Sequence, residues 1–274
     1  MVKVNGEEHN YYLFPNNELK VSPIRYGNYV EIKDGDDIEV ELIYENSIDL
    51  VHLIFVKKFL DEAYPHSCVD LVMKYIPYSR MDRETPFQMF TCKYLCQLIN
   101  DLCFSSVTVL DPHSNVCVGA LERVKQIDLS YYVKQVLDYE RVKEGTYIDA
   151  IFLPDVGAYK KYTEVLDNVK LPKFWGNKHR DLNNGAITDY DIIGDIDVNG
   201  KNILIVDDIC VKGFTTLFAS KKLKELGANK VIFYCSHCED AIHSGQLLKT
   251  DYVDRIYTTD SMKFDEHNKI IKLY

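Results

Sequence analysis

Residues 203–217 read ILIVDDICVKGFTTL. An apolar strand, Ile203 to Val206, runs into two carboxylates, Asp207 and Asp208, then into a short loop holding Lys212 and Gly213. Thr215 and Thr216 follow at the start of an amphipathic helical pattern. Carboxylates at the carboxyl end of a buried strand are costly unless they hold hydroxyls, a metal or a cation. A Gly- and Thr-containing loop that opens a helix suits a phosphate, because unpaired N–H groups and the helix dipole both face the anion. The order describes a pocket for a ribose phosphate, with acids on the sugar hydroxyls and loop plus helix end on the phosphate. The same letters also suit an ordinary strand exit followed by a capped helix.

Working outward, the chain has 274 residues, enough for two domains that each bury a core. Hydrophobic residues make up 46% and charged residues 27%, a globular balance. A net charge of −10 argues against a nucleic-acid surface, which needs clustered cations. No apolar run approaches the length of a membrane span. The opening MVKVNGEEHNYYLF has acids where a signal peptide needs a basic region and an apolar core. A cytoplasmic protein is expected. The eight cysteines lack the framework of a secreted scaffold. Cys92 and Cys96 are spaced as neighbours on a helix face and read as small hydrophobes. Cys235 and Cys238 lack a second ligand pair at zinc spacing and read as strand-end packing.

An internal echo points to the architecture. Phe90-Thr91 opens a helical pattern ending near Cys103, and Val107 to Leu110 then reads as a strand closing on His113. Phe214-Thr215 opens a second helix ending at Gly227, and Val231 to Tyr234 reads as a strand closing on His237. Each Phe–Thr pair begins 23 residues before its His, so the halves superpose with an offset of 124. Further strands are expected at Val51–Val56, Leu71–Tyr75 and Ile148–Leu153, with helical patterns between them. That alternation predicts an α/β fold with mostly parallel sheets flanked by helices. Asn28 to Tyr44 alternates around Asp34-Gly35 and reads as a hairpin or strand pair. The charged stretch Asp138 to Gly145 places a domain boundary near residue 140, giving domains 1–140 and 141–274.

Ligands in such sheets bind beyond the carboxyl ends of strands. Three more polar clusters fall there: Tyr78-Ser79-Arg80-Met81-Asp82-Arg83, Asp111-Pro112-His113 and Pro154-Asp155-Val156-Gly157. Taken with 203–217, they describe one site. In this order the clusters resemble the ribose-phosphate pyrophosphokinases, or PRPP synthetases, over nearly the whole chain. The resemblance implies two tandem type I phosphoribosyltransferase-like domains. LFPNNEL (13–19) is similar to the family's opening strand and loop. Lys33-Asp34-Gly35-Asp36 is similar to its SDGE turn, which implies that Asp34 or Asp36 completes a neighbouring subunit's adenine pocket in an oligomer of at least two chains. Arg80, Asp82 and Arg83 match the ATP-contacting segment Y-A-R-Q-D-R. His113 matches the histidine that helps hold magnesium, and Asp155 the acid that serves that metal and the reacting ribose. Lys178-His179-Arg180 resembles the K-R-R of the mobile catalytic loop, just before the polar run Asp181 to Asp189. Asp207 and Asp208 match the paired acids on the ribose hydroxyls, with Lys212, Gly213, Phe214, Thr215 and Thr216 around the phosphate.

The resemblance implies Mg²⁺-dependent transfer of the β,γ-diphosphate of ATP to the anomeric hydroxyl of a ribose, with release of AMP. Such catalysis is mainly positioning and charge stabilisation, a role for Lys178 and Arg180. Where the family has D-T-A-G-T or D-T-G-G-T, this chain has Val211-Lys212-Gly213-Phe214-Thr215. Phe214 replaces a glycine that lets backbone approach a terminal phosphate, and Lys212 adds a charge suited to a diphosphate. The acceptor is therefore ribose 5-phosphate or ADP-ribose, the latter as in phage relatives that rebuild NAD⁺. Met81 in place of Gln and Ile32 in place of Phe alter the adenine site. A phosphoribosyltransferase consuming PRPP would share 203–217 but needs neither the duplication nor the Arg80–Arg83 and His113 clusters. A non-catalytic regulatory paralogue would have lost the catalytic cations or metal ligands, and Lys178, Arg180, His113 and Asp155 are all present.

Overall fold

The computed structural model describes the backbone of residues 1–24, 31–180 and 187–274, and the side chains of these except 178–180 and 187–189. The chain divides into two compact units, Met1–Ile127 and Asp128–Tyr274.

The first unit runs β1 (Val2–Val4), β2 (Glu7–His9), β3 (Tyr11–Leu13), β4 (Leu19–Val21), β5 (Asp37–Leu42), α1 (Ser47–Ala63), β6 (Cys68–Val72), α2 (Thr91–Asp101), β7 (Val107–Leu110), α3 (Asn115–Ala120) and β8 (Val124–Ile127). Its sheet has the order β2-β1-β5-β6-β7-β8, parallel from β5 to β8 and antiparallel at β1–β2 and β1–β5. β3 and β4 form a separate hairpin. Val40, Leu53, Leu71, Ile99 and Val109 are among the fully buried side chains of its core.

The second unit runs α4 (Leu129–Lys143), β9 (Ala150–Leu153), α5 (Val156–Val165), β10 (Lys173–Arg180), β11 (Ile187–Ile193), β12 (Asn202–Cys210), α6 (Phe214–Glu225), β13 (Lys230–Cys238), β14 (Arg255–Thr259) and β15 (Ile270–Leu273). The sheet order is β11-β10-β9-β12-β13-β14-β15, parallel throughout except for the antiparallel β10–β11 ribbon. β9, β12 and β13 are apolar on both faces, as strands covered on two sides must be: Ala150–Leu153, Ile203–Val206 and Val231–Tyr234 are wholly buried.

The two units share a strand order. β5-β6-β7-β8 in the first corresponds to β9-β12-β13-β14 in the second, with α2 and α6 following β6 and β12. The echoed helix–strand pairs stand where the 124-residue offset puts them. The echoed histidines diverge, because β13 continues through His237 to Cys238 while β7 stops at Leu110. His237 is therefore buried, with Nδ1 2.8 Å from Ser261 Oγ, and His113 is exposed.

Several expectations are corrected. Val51–Val56 is not a strand but the middle of α1. Asn46 caps that helix, accepting from Ile48 N at 2.9 Å, and Asp49 Oδ2 accepts from Asn46 N at 3.0 Å in a capping box. Buried positions 49, 52, 53, 56, 57 and 60 follow the helical period, so the apolar run reflects a helix buried along a broad face. The hairpin expected over Asn28–Tyr44 is absent among the described residues; residues 28–30 lie outside them. β5 pairs instead with β1 and β6, because Met1 to Val4 supplies the antiparallel neighbour. The strand expected at Leu71–Tyr75 is β6, ending at Val72. The units meet at 127/128, and residue 140 falls inside α4; Asp138 to Gly145 is the charged end of that helix, not a linker. Cys92 on α2 packs sulfur to sulfur against Cys117 on α3, and Cys96 is a buried thiol beside them. Cys235 and Cys238 are buried with Cys210 at the ends of β12 and β13.

Candidate active site

In the first unit, the turn Lys33–Asp36 closes through Asp36 N to Lys33 O at 3.1 Å, with Asp36 Oδ2 accepting from Lys33 N at 2.8 Å. Gly35 sits at φ +99°, which only glycine adopts without strain. Asp34 grips the loop before β6, accepting from His66 N at 2.8 Å and lying 2.6 Å from His66 Nδ1. The hydrogen bonds from His66 hold Asp34 below the usual carboxylate range and raise the imidazole in turn.

Beyond β6, Arg80 and Arg83 are exposed and Asp82 is partly buried. Arg83 Nε donates to Asp82 Oδ1 at 3.1 Å. Burial pushes Asp82 upward, but the Ser114 hydroxyl, Arg83 and the field of His113 outweigh it and hold the carboxylate low. The β6 and β7 ends thus bring Asp82 and His113 together. At the β7 end Asp111 is left-handed (φ +42°), and His113 precedes Ser114, which caps α3 by accepting from Val116 N at 3.1 Å.

In the second unit, Asp155 is the N-cap of α5, with Oδ1 accepting from Ala158 N at 2.8 Å. The paired acids lie within β12, not after it, because the strand continues to Cys210. Both are half-buried, and Asp207 Oδ1 accepts from Asp208 N at 3.0 Å. Gly213 caps α6 at φ +71°, and a Cβ there would lie 2.6 Å from Leu247 Cδ2. Gly245 packs just as closely on the Lys212 carbonyl, so the loop is braced from behind. Lys212 is exposed, Phe214 is 53% exposed, Thr215 is half-buried and Thr216 is buried. The first three therefore line the open side, while Gly213 shapes the backbone and Thr216 faces the interior.

Lys178 and Arg180 stand on β10, opposite Tyr190 and Ile187 of β11. They belong to the end of a two-stranded ribbon, not to a free loop, and Ile187–Asp189 of the polar run is strand; residues 181–186 and the side chains of 178–180 lie outside the described set. The sequence reading misses Tyr190. It is 2% exposed, its hydroxyl donates to Pro154 O, and burial together with the charges of Asp155 and Asp207 pushes its pKa far up. The alternation in ITDYDII (187–193) is its available signal.

Among the described residues no group of three His, Cys, Asp or Glu is arranged to hold a metal. Mg²⁺ that is shared with nucleotide phosphates takes one or two carboxylates and keeps several waters. The Asp82 carboxylate in the first unit and the Asp155 carboxylate in the second are oxygen donors of the kind such an ion takes without a closed protein cage, whereas exposed His113 offers an imidazole nitrogen suited to contact through a metal-bound water.

Two tandem α/β units of common strand order, with acids and a glycine-led helix start at the β12 end, define the phosphoribosyltransferase-like architecture of the PRPP synthetases. The fold matches phosphoribosylpyrophosphate synthetase from Mycobacterium smegmatis with a TM-score of 0.74 at 17% identity, covering 97% of this chain and 85% of that one. The chain is a relative of the ribose-phosphate pyrophosphokinases. It is 29% identical over 199 residues to the enzyme of Marinomonas sp., covering 71% of this chain and 61% of that protein. It is 27% identical over 251 residues to the enzyme of Bacillus caldolyticus, covering 90% and 77%. Ribose-phosphate pyrophosphokinase 1 of Listeria monocytogenes is 27% identical over 235 residues, covering 84% and 70%. No family model matches the chain. No helix among the described residues is long and apolar enough to cross a membrane.

Proposed function

We propose that the chain transfers the β,γ-diphosphate of ATP to the anomeric hydroxyl of a ribose 5-phosphate moiety. The anomeric oxygen attacks the β-phosphorus and loses its proton to solvent; the bond from that phosphorus to the α,β-bridging oxygen breaks, and AMP leaves with that oxygen on its phosphate. The observation that carries this reading is the β12–α6 corner: two half-buried acids, a braced loop with an exposed lysine, and a helix opened by left-handed Gly213.

Asp207 and Asp208 take the ribose hydroxyls, and the loop with Lys212, Gly213, Phe214, Thr215 and the start of α6 takes the phosphate. Thr216, being buried, supports the helix start from beneath. Arg80, Asp82 and Arg83 take ATP. Asp34 and Asp36 complete the adenine pocket of a second copy, with the His66 contact fixing the turn that presents them. His113 in the first unit and Asp155 in the second would each offer a contact to Mg²⁺, directly or through water. When bound, that ion neutralises charge on the phosphoryl oxygens. Lys178 and Arg180 supply the remaining positive charge at the diphosphate as it moves. The working form is a cytoplasmic homo-oligomer of at least two chains.

The exposed Phe214 ring favours an acceptor whose 5-phosphate continues into a second nucleotide half, which makes ADP-ribose a substrate alongside ribose 5-phosphate. The test is incubation with Mg-ATP and each acceptor in turn, with AMP measured and the product weighed by mass spectrometry. AMP formed together with an acceptor heavier by a diphosphate supports the reading; hydrolysis of ATP to ADP, or no AMP with either acceptor, overturns it.

A further inference from the structure

We propose that Tyr190 is a positioning residue, a tether that fixes the β10–β11 ribbon, and Lys178 with it, to the strand end that carries Asp155. The proposal rests on the reading above for the role of Lys178 and Asp155, but its structural half can be tested without it.

The need for a tether comes from the sheet. β10 is laddered to β9 only over Lys173–Trp175, because β9 ends at Leu153 and the chain turns into α5. From Gly176 outward, the ladder partner of β10 among the described residues is β11, itself the edge of the sheet. Lys178 therefore stands on an overhang. A two-stranded ribbon is only marginally stable alone, and a catalytic cation must be placed to well under an ångström.

Tyr190 bridges the gap. Its backbone is in register with Lys178 across the ribbon. Its hydroxyl donates to the carbonyl of Pro154, the first residue beyond β9 and the one before Asp155. That bond stands where a further rung of the β9–β10 ladder would have been. The ring is held on two sides. Its centroid is 6.2 Å from that of Phe152 on β9. It also covers Gly176, the diagonal cross-strand neighbour, where any Cβ would collide with the phenol end of the ring. Gly176 thus owes its identity to Tyr190, since it lies in a strand where glycine is otherwise unfavourable. The hydroxyl is kept protonated, and so able to donate, by burial and by the nearby charges of Asp155 and Asp207.

Tyr190→Phe keeps the ring and removes the tether. The expected result is a fall in kcat of at least tenfold, with KM for Mg-ATP and acceptor within about threefold and thermal stability nearly unchanged. Gly176→Ala should displace the ring and lower kcat comparably. Combined with Tyr190→Leu, which clears the space, it should cost no more than the worse single change, because the two residues act as one unit. A second readout is amide exchange at Gly176 and Asn177, which should quicken at least tenfold in Tyr190→Phe while β12 and α6 are unaffected. Unchanged kcat, or lowered kcat with unchanged exchange at these amides, overturns the tether. If the wild type transfers diphosphate to neither acceptor, the functional reading fails, and the exchange result alone upholds or overturns the tether.

Discussion

Arg255 on β14 clasps Glu140 on α4 through two hydrogen bonds of 2.7 Å, Nε to Oε1 and Nη2 to Oε2. Glu140 is wholly buried, and Tyr257 adds a third bond, its hydroxyl donating to Oε1 at 2.8 Å. The clasp locks α4 to the second unit's sheet, which explains why the units divide before α4 and not within it. Removing one partner of a buried pair leaves a charge without compensation, at a cost of about 3–5 kcal/mol. Arg255→Ala should lower stability by that amount in a denaturant titration. Replacing both partners by Met should cost less than Arg255→Ala alone, which a double-mutant comparison checks.

The Asp34–His66 pair gives a pH signature. His66 is raised above its ordinary 6.5, so its share of the pairing is complete below 6.5 and is lost as pH rises through the raised value. Asp34 is lowered below 3.8, so its share is present above 3.8 and is lost as pH falls through the lowered value. The turn should therefore be held best between these limits. An NMR titration should place the His66 midpoint above 6.5, and Asp34→Asn should bring it back down.

Asp155 caps α5, and the proposed reading adds a role at the metal and ribose; one substitution can separate the two. Serine is as good an N-cap as aspartate, whereas alanine in place of a capping residue costs about 1 kcal/mol. Asp155→Ser should keep the melting temperature of the wild type, while Asp155→Ala lowers it. Both should lose AMP-forming activity by two orders of magnitude or more. Retained activity in Asp155→Ser would confine the residue to capping α5.

Lys178→Ala and Arg180→Ala should each reduce turnover by orders of magnitude, since removing one transition-state charge contact typically costs roughly 3 kcal/mol. The melting temperature should hardly move, because both stand on the overhanging end of the ribbon. Near-normal AMP release from the double variant would remove them from the mechanism.

How much of this is legible in the sequence differs by element. The β12–α6 corner is readable because a wholly apolar strand, a glycine and a helical pattern follow one another with no competing signal. Both acids nonetheless sit inside the strand, since backbone pairing to β13 does not depend on side-chain polarity. Val51–Val56 misleads because short apolar runs fit strand and helix alike; the Asn46–Asp49 box is the deciding signal. Tyr190 cannot be placed from sequence, because its partners, Pro154 and Gly176, become neighbours only through pairing between β9, β10 and β11.

On the proposed reading, the acceptor is set at the Val211–Thr215 loop. A terminal phosphate dianion is best held by several backbone N–H groups in a tight glycine-rich wrap. Here only Gly213 is free of a side chain, and it is committed to a left-handed turn against Leu247. Phe214 follows it at the first position of α6, with half its surface in solvent, beside exposed Lys212. That leaves less room for a wrapped terminal phosphate and offers a ring and a cation to a phosphate that continues onward. ADP-ribose should therefore rival or exceed ribose 5-phosphate as substrate. Changing Val211–Phe214 to Asp-Thr-Gly-Gly should move the preference toward ribose 5-phosphate by tenfold or more. The ratio of kcat/KM for the two acceptors reports that difference in transition-state binding directly. A wild-type protein that uses ribose 5-phosphate efficiently and ignores ADP-ribose would show that Phe214 and Lys212 do not set the acceptor.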